Sequence, residues 1–510
     1  MKLLWKFICF LFLNSYLFAR EHNDILFGPI PMDVRDNRAL ARLASFITED
    51  KKYRCSAIVH ESDLYYWYST NCTLMIWDKQ SQLSDIKKRY EQSSSLPFWE
   101  RMTEELICSN NFFDVYLQAN IIERLKGIQF DMIICDGQSI PCLVTGAVLK
   151  IEKTINFSPI CPPPWSSLFK RHPSYAPSIY TSFDNEMTFS ERIISFFNDK
   201  ANSLKDNVIM LIIGAKLISK GYLRYLYRLL KTKDELYMAQ CITGFNYPEY
   251  HPPNVIDIGS ISANPPQVLS SNLNNFMIKF DHIVYFRMKG MEDFVNVSNL
   301  LDSFKKYPEI GFVFESEHYS NYSLDYGYPY NLLYVPSNLS NDILGHPKTS
   351  ASINYGDWES ILESLYHGVP LVSIGNTFDK GANGKLLEYH KVGISMLNES
   401  EMNSELFFTY LQTLLKNPKY KVNAIKVSHL VKERNANSTM KDWIDYYFDS
   451  DISELVVHGY FHKGSVRFDR ILIGLLPIML LSGVLFLIHY TLKKVIQRVR
   501  KIFTRKKLSK

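Results

Sequence analysis

The feature that most restricts this chain lies near its carboxyl terminus, where residues 471–492 run for 22 positions without an Asp, Glu, Lys or Arg. About 20 such residues carry a helix across the hydrocarbon of a bilayer. Pro477 and Gly483, inside the run, are tolerated in that setting. Nine Lys or Arg and no acid follow in 493–510, which predicts a cytosolic tail. At the opposite end Lys2 and Lys6 precede an apolar stretch from Phe7 to Phe18, and Ala19 offers a small residue for cleavage. A short apolar run behind a positive flank reads as a signal peptide over 1–19. Everything between the two apolar segments is then expected in the lumen.

The tail also accounts for the overall charge. The whole chain carries +5 and the tail alone +9, which leaves −4 on the remainder. A mildly acidic globular part gives no electrostatic reason to bind nucleic acid. Acceptors for N-glycosylation stand at Asn71, Asn156, Asn296, Asn321, Asn338, Asn398 and Asn437, all on the expected lumenal side. Once Cys9 is removed with the signal peptide, Cys55, Cys72, Cys108, Cys135, Cys142, Cys161 and Cys241 remain. An oxidising lumen allows pairing, but an odd number leaves at least one thiol free or paired between chains. Their spacing is not that of a metal site, and no metal is expected. No cysteine lies beyond Cys241, so the second half has no disulfide.

Roughly 450 lumenal residues are too many for one core and suit two domains. Asp24-Ile-Leu-Phe reads as a short apolar strand, followed by a helical pattern from Arg38 to Ile47. Phe130 to Asp136 is a continuous apolar strand ending on an acid. After Asn264-Pro-Pro a second series begins with a strand at His282–Phe286, a helix near Val295–Lys306 and a strand at Ile310–Phe314. Buried strands alternating with helices predict parallel α/β sheets. A break near 262–280 would give two such domains with a cleft between them. Ligands of open α/β sheets bind beyond the carboxyl ends of the strands, which makes Asp136 a candidate functional residue. The plain alternative is an acid that merely ends its strand.

The densest run of candidates spans Asn341 to Ser395. It contains Asp342-Ile-Leu-Gly-His-Pro-Lys-Thr349, then Tyr355-Gly-Asp-Trp-Glu-Ser-Ile-Leu-Glu-Ser-Leu-Tyr-His-Gly-Val-Pro370, then Phe378-Asp-Lys-Gly-Ala-Asn-Gly384. Gly356 can sit in a loop that opens a helix over Trp358–Tyr366, whose free N–H groups and dipole suit a phosphate. Glu363 on that helix can accept hydrogen bonds from sugar hydroxyls. Asp379 and Lys380, after an apolar strand at Leu371–Ile374, can serve a second polyhydroxylated group. An ordinary strand–turn–helix unit would show the same spacing.

Taken together, these stretches resemble the UDP-glucuronosyltransferases, membrane enzymes of the GT-B fold. That family shows N-D-L-L-G-H-P-K-T, then H-G-G-x-N-S-x-x-E-A-x-x-H-G-V-P, then a D-Q pair. The likeness is close at Asp342–Thr349 and continues through Ser360, Glu363, His367, Gly368, Val369, Pro370, Asp379 and Asn383. Pro173-Ser-Tyr-Ala-Pro and Met187-Thr-Phe-Ser-Glu-Arg are similar to a segment of invertebrate members. The resemblance implies an α/β, GT-B-like chain with two Rossmann-like parallel-sheet domains facing a cleft, plus one C-terminal transmembrane helix at 471–492. Residues 20–265 would bind the acceptor and 266–465 the UDP-sugar. The implied reaction moves glucuronic acid or glucose from a UDP-sugar, the co-substrate, to a small lipophilic acceptor, with no further cofactor. Tyr355, Gly356 and Ser360 would lie by the pyrophosphate, Glu363 by the ribose, and Asp379 and Lys380 by the sugar. Asp136 would orient the catalytic base.

The chain also departs from that pattern. His-Gly-Gly is here Tyr355-Gly356-Asp357, the Asn is Glu359, and the D-Q pair is Asp379-Lys380. Acids beside a diphosphate repel it. The loop after the first strand, Gly28 to Asn37, contains no histidine, and Asp36 stands where the catalytic base is expected. Arg35 beside it would lower the pKa of that carboxylate. Two functions therefore follow: a UDP-glycosyltransferase with Asp136 and Asp36 in the catalytic positions, or a non-catalytic relative that binds ligand or pairs with family members. The family's setting is the endoplasmic reticulum membrane, single-pass type I, with a lumenal catalytic part. Lys506-Lys507-Leu-Ser-Lys510 is one position out of register with a dilysine retrieval signal, which leaves the cell surface open. Homo- or hetero-oligomers with family members are compatible with either function.

Overall fold

Strands that are apolar along their whole length need cover on both faces, and parallel sheets flanked by helices supply it. A computed structural model describes residues 23–28, 34–77, 81–93, 96–137, 139–161, 163, 176–222, 235–248, 251–287, 304–315, 329–336, 338–375, 378–396, 404–452 and 455. The expected signal peptide over 1–19, transmembrane helix over 471–492 and tail over 493–510, and most of the helix expected near 295–306, lie outside them. Among the described residues no helix is long and apolar enough to cross a membrane.

The chain up to Leu455 forms one unit containing two sheets. The first is built from β1 (Asn23–Phe27), β2 (Tyr53–His60), β3 (Thr73–Trp77), β4 (Met132–Asp136), β5 (Lys153–Ser158), β6 (Leu236–Ala239) and β7 (Val255–Asp257). The second holds β8 (His282–Arg287), β9 (Ile310–Glu315), β10 (Leu332–Val335), β11 (Thr349–Asn354), β12 (Leu371–Ile374) and β13 (Gly393–Met396). Their orders are β3-β2-β1-β4-β5-β6-β7 and β10-β9-β8-β11-β12-β13, and neighbouring strands pair in parallel. Each sheet starts in its middle and runs first to one edge, then to the other. Crevices therefore open at the carboxyl ends of β1 and β4, and of β8 and β11. The expected strands at Asp24–Phe27, His282–Phe286, Ile310–Phe314 and Leu371–Ile374 fall in β1, β8, β9 and β12, and the one expected over Phe130–Asp136 forms from Met132 as β4.

The helices that position the site are α1 (Val34–Thr48), α2 (Phe98–Gln118), α3 (Ile140–Leu149), α4 (Phe189–Ser219), α5 (Ser340–Leu344), α6 (Trp358–Tyr366), α7 (Phe378–His390), α8 (Ser404–Lys416), α9 (Pro418–Glu433) and α10 (Ala436–Asp449). Alternation along β1 sends Ile25 and Phe27 into one core and Leu26 into the other. On the Leu26 side lie Phe112, Phe113 and Tyr116 of α2 with Val144 and Val148 of α3. On the Phe27 side lie Leu40, Leu43 and Ile47 of α1. Met440, Ile444 and Tyr447 of α10 join them from the far end of the chain. Asn435 caps α10 by accepting from the N–H groups of Asn437 and Ser438. The Tyr447 hydroxyl accepts from the Thr154 N–H at 3.3 Å, and Lys153 Nζ donates to the Phe448 carbonyl at 2.6 Å. The last of the described helices is thereby part of the first sheet's core.

The seven cysteines resolve into Cys55–Cys72, Cys135–Cys142, Cys161–Cys241 and one buried thiol, Cys108. All three bridges lie on the first sheet's side of the chain. Of the glycosylation acceptors, Asn71 and Asn338 are exposed, whereas Asn156 is buried in β5 and donates to the Glu235 carboxylate.

Because α10 completes the first core from beyond the second sheet, the two sheets are expected to unfold together. Truncating Ile444, 1% exposed, to Ala should cost about 2–5 kcal/mol. Urea unfolding followed by far-UV dichroism and tryptophan fluorescence should show one transition at a lower midpoint. Two separated transitions, with only the later residues affected, would contradict this account.

Candidate active site

The first crevice is framed by backbone. The Gly28 N–H donates to the Ile134 carbonyl at 3.0 Å, holding the chain leaving β1 against β4. A Cβ at Gly28 would overlap the sulfur of Cys142, so the Cys135–Cys142 bridge and any side chain at 28 exclude one another. Asp136 ends β4 within this frame and is buried, 6% exposed. The loop carrying the expected base leads directly into α1. Asp36 belongs to the first turn of that helix, but its side chain lies outside the described residues.

The second crevice is built on the turn from β11 into α6. Gly356 there has φ +74°, a conformation that glycine adopts at least cost. Its N–H donates to Asn354 Oδ1 at 3.0 Å, and its carbonyl accepts from Asn383 Nδ2 at 2.9 Å. A Cβ at 356 would overlap Ser373 Oγ. Asn354 Nδ2 and Ser373 Oγ are buried and have no hydrogen-bond partner among the described residues. Tyr355 packs into the core of the second sheet, with Phe286, Phe314 and Ile353, and Lys380 of α7 sits over its ring with Nζ 4.0 Å from the centroid. Asp379 is in the first turn of α7, its side chain outside the described residues.

Where α6 begins, the protein supplies its own anions. Asp357 is the amino-terminal cap: it accepts from the Ser360 N–H at 3.0 Å and from the Ser360 hydroxyl at 2.7 Å. Ser360 thus directs both of its donors to Asp357. Glu359, two residues on, pairs with Arg42 at 2.5 Å and Arg38 at 3.4 Å, both on α1. These ion pairs bring the first-sheet helix that follows β1 against the second-sheet helix that follows β11. Glu363 is fully buried; its Oε2 accepts from Arg287 Nη1 at 3.0 Å and from the Ser340 hydroxyl at 2.9 Å, and Arg42 lies 3.6 Å from its Oε1.

Arg287 ends β8, and its register partner Glu315 ends β9. Its guanidinium is buried among Glu363, Asp357, Glu359 and Glu315. Burial opposes its charge, but those carboxylates outweigh burial and hold its pKa well above the ordinary value. Glu315, 1% exposed, is pushed up by burial, with Arg287 and the Tyr285 hydroxyl working the other way. Arg38 is raised, chiefly by Glu359. None of Arg38, Arg42, Arg287 and Glu315 was among the expected site residues. The signal for two of them was present: each is a charged residue ending an apolar strand, the rule that selected Asp136. The motif residues Asn341, Asp342 and His367 prove to be structural. Asn341 Oδ1 takes the Asn264 N–H at 3.0 Å and lies 3.0 Å from His367 Nε2, while Asp342 takes the Gln267 N–H at 2.8 Å. They fasten the segment between the two sheets. Burial, first, and the charge of Lys432 push the His367 pKa down to about 4.

Comparison with known proteins fits this geometry. The family model described as UDP-glucoronosyl and UDP-glucosyl transferase matches residues 59–447. UDP-glucuronosyltransferase 1A6 of Oryctolagus cuniculus is 28% identical over 276 residues, which are 51% of this chain and 49% of that one. UDP-glucuronosyltransferase 2B10 of Homo sapiens is 26% identical over 68% of each chain. UDP-glycosyltransferase UGT4 of Dactylopius coccus is 24% identical over 66% of this chain and 69% of that one. The chain thus spans about half the length of the rabbit relative and about two thirds of the other two. Among solved structures, the spinosyn forosaminyltransferase SpnP aligns over 84% of this chain and all of its own at TM-score 0.56 and 13% identity. CalG4, the calicheamicin glycosyltransferase, does so over 84% and 98% at TM-score 0.56 and 12% identity. At such identities the likeness speaks for the fold, two Rossmann-like sheets of the GT-B kind. With the family model covering most of its length, the chain belongs to the UDP-glucuronosyl and UDP-glucosyl transferase family.

Proposed function

We propose that this protein transfers a hexosyl group, glucuronic acid or glucose, from a UDP-sugar to the hydroxyl of a small lipophilic acceptor. The observation that carries the proposal is the meeting of α1 with α6. The Arg42–Glu359 pair brings the segment after the first crevice, which contains Asp136, to the segment that family membership assigns to the donor. In this reading the acceptor oxygen attacks the anomeric carbon, its proton passes to a carboxylate, and the bond to UDP breaks with the electron pair leaving on the diphosphate. Asp36 and Asp136 are the carboxylates available at the first crevice. Arg42, Arg38 and Arg287 are the cations near the leaving group, and Glu359 stands in for the donor's anion upon them. Lys380 over Tyr355 supplies a positive charge suited to a carboxylate-bearing sugar. The accompanying location is the family's, the endoplasmic reticulum membrane, with the tail cytosolic on the strength of its charge.

A second reading is favoured by the cap on α6. The Ser360 N–H, a helix-start donor that could receive a phosphate, is already taken by Asp357. A chain that keeps this arrangement in solution would be a non-catalytic family member, binding ligand or pairing with active relatives.

Binding and turnover of UDP-glucuronic acid and UDP-glucose by the full-length protein in detergent separate the two. The transferase reading expects saturable binding and a kcat that falls about 10²- to 10⁴-fold in Asp136→Ala. No binding at millimolar nucleotide sugar by folded protein would leave the second reading. Neutralising Glu359 removes a negative charge from the donor's path. At a few ångströms such repulsion is worth several kcal/mol before screening, so Glu359→Gln should tighten UDP binding about tenfold by calorimetry. Weaker binding would mean that Glu359 is itself a ligand. Arg287→Ala leaves buried carboxylates unpaired and should lose about 3–5 kcal/mol of stability. Pairing it with Glu363→Gln should restore part of that in thermal melts, and no recovery would show that the two side chains do not act as a pair.

A further inference from the structure

The last two side chains of β4 leave the strand on opposite faces. Cys135 points with Ile133 into the core shared with α2 and α3. Alternation turns Asp136 to the face of Ile134, where Leu40 and Leu43 of α1 pack. Just beyond, the Gly137 N–H donates to the Phe157 carbonyl at 2.8 Å. The chain then bends into α3: the Ser139 N–H donates to the Asp136 carbonyl at 2.9 Å, and the Cys142 N–H to the Ser139 carbonyl at 3.0 Å. The Cys135–Cys142 bridge closes this bend covalently from the face opposite Asp136, with both cysteines fully buried. Cys142 also lies against Gly28, where a Cβ would overlap its sulfur. Gly28 opens the loop that contains Asp36, and its N–H is held by the Ile134 carbonyl. One pair of sulfurs therefore bears on both strands of the first crevice.

Cys108 is a third sulfur in the same core. Burial pushes its thiol pKa up, which disfavours the thiolate that exchange with the bridge would need. We propose that the Cys135–Cys142 bridge is a positioning brace for Asp136: it fixes the bend that aims this carboxylate, and breaking it misaims the carboxylate while leaving the donor site on the second sheet as it was. The proposal rests on the transferase reading given above. A shift of about 1 Å at a reacting group can cost about 10²-fold in rate, so a covalent tie one residue from the carboxylate bears directly on kcat. The brace opens by exchange with a dithiol such as dithiothreitol. The reductant supplies two electrons and two protons, the bond between the sulfurs gives way to two S–H groups, and the reductant leaves as its cyclic disulfide.

The test is a mutant cycle on the full-length protein in detergent, read as UDP release from UDP-glucuronic acid and UDP-glucose. Cys135→Ala and Cys142→Ala are made together, so that neither cysteine is left to pair with Cys108. This double variant should lower kcat about 10- to 10²-fold and keep the KM for the UDP-sugar within about twofold. In an Asp136→Ala background the same two changes should alter kcat by less than about twofold, because no carboxylate remains to be aimed. Cys55→Ala with Cys72→Ala opens the bridge between β2 and the residue before β3, and should leave kcat unchanged. If the double variant does not fold, dithiothreitol acting on folded wild-type and Asp136→Ala protein gives the same comparison. Mass spectrometry of alkylated thiols then shows which bridge has opened, and reoxidation should restore the wild-type rate. Losses that multiply, with the two cysteine changes costing Asp136→Ala as much as the wild type, would overturn the brace and leave the transferase reading intact. So would an equal loss in the Cys55 and Cys72 variant, which would mark general destabilisation. A wild type that releases no UDP from either nucleotide sugar would end the transferase reading and the brace with it.

Discussion

A guanidinium removed from water must be neutralised where it lies, and Arg287 does this for the second half of the molecule. Desolvation of such an ion costs several kcal/mol, so carboxylates must lie close to make burial tolerable: Glu363 is hydrogen-bonded at 3.0 Å, and Glu315 and Glu359 approach to 3.9 Å. Four elements are held by that requirement: β9 through Glu315, α6 through Glu363, α5 through the Ser340 hydroxyl on the same carboxylate, and α1 through Arg42 and Arg38 on Glu359. The three arginines and four acids form a continuous set that crosses from one sheet's helices to the other's. Removing any single member leaves its neighbours short of a counter-charge, so the cluster behaves as one object.

The same cluster explains how a chain can keep a donor-binding frame while changing the residues that line it. A glycine with positive φ before α6 fixes where the helix starts, and this chain retains it at Gly356. An acid at 357 is tolerated because it caps the helix, and an acid at 359 because two arginines of α1 reach it. Each change that would repel a diphosphate is met by an internal partner.

Much of the fold was legible because buried parallel strands are written as uninterrupted apolar runs, and each strand expected from such a run is present. Asp136 was legible by its place at the end of one. Arg287 and Glu315 obey the same rule, each standing one position beyond the apolar runs His282–Phe286 and Ile310–Phe314. Arg38 and Arg42 could not be read, as their meaning depends on α6, more than 300 residues away. Nor could the burial of Asn156 inside β5 or the return of α10 to the first core, both of which are decided by tertiary packing. The three disulfide pairings were equally hidden, because seven cysteines fix parity and nothing about neighbours.

The return of α10 bears on how the chain is made. Translation proceeds from the amino terminus, so the first sheet, complete at Asp257, waits for a helix that begins at Ala436. At 5–20 residues per second that interval is on the order of 10–40 s. During it the face formed by Ile25, Phe27 and Val59 lacks the side chains of Met440, Ile444 and Tyr447 that belong on it. Nascent chains therefore carry an open apolar surface through about a third of their synthesis, a natural substrate for chaperones. The three disulfides, whose last cysteine is Cys241, are in place to hold the unfinished sheet together until its missing helix emerges.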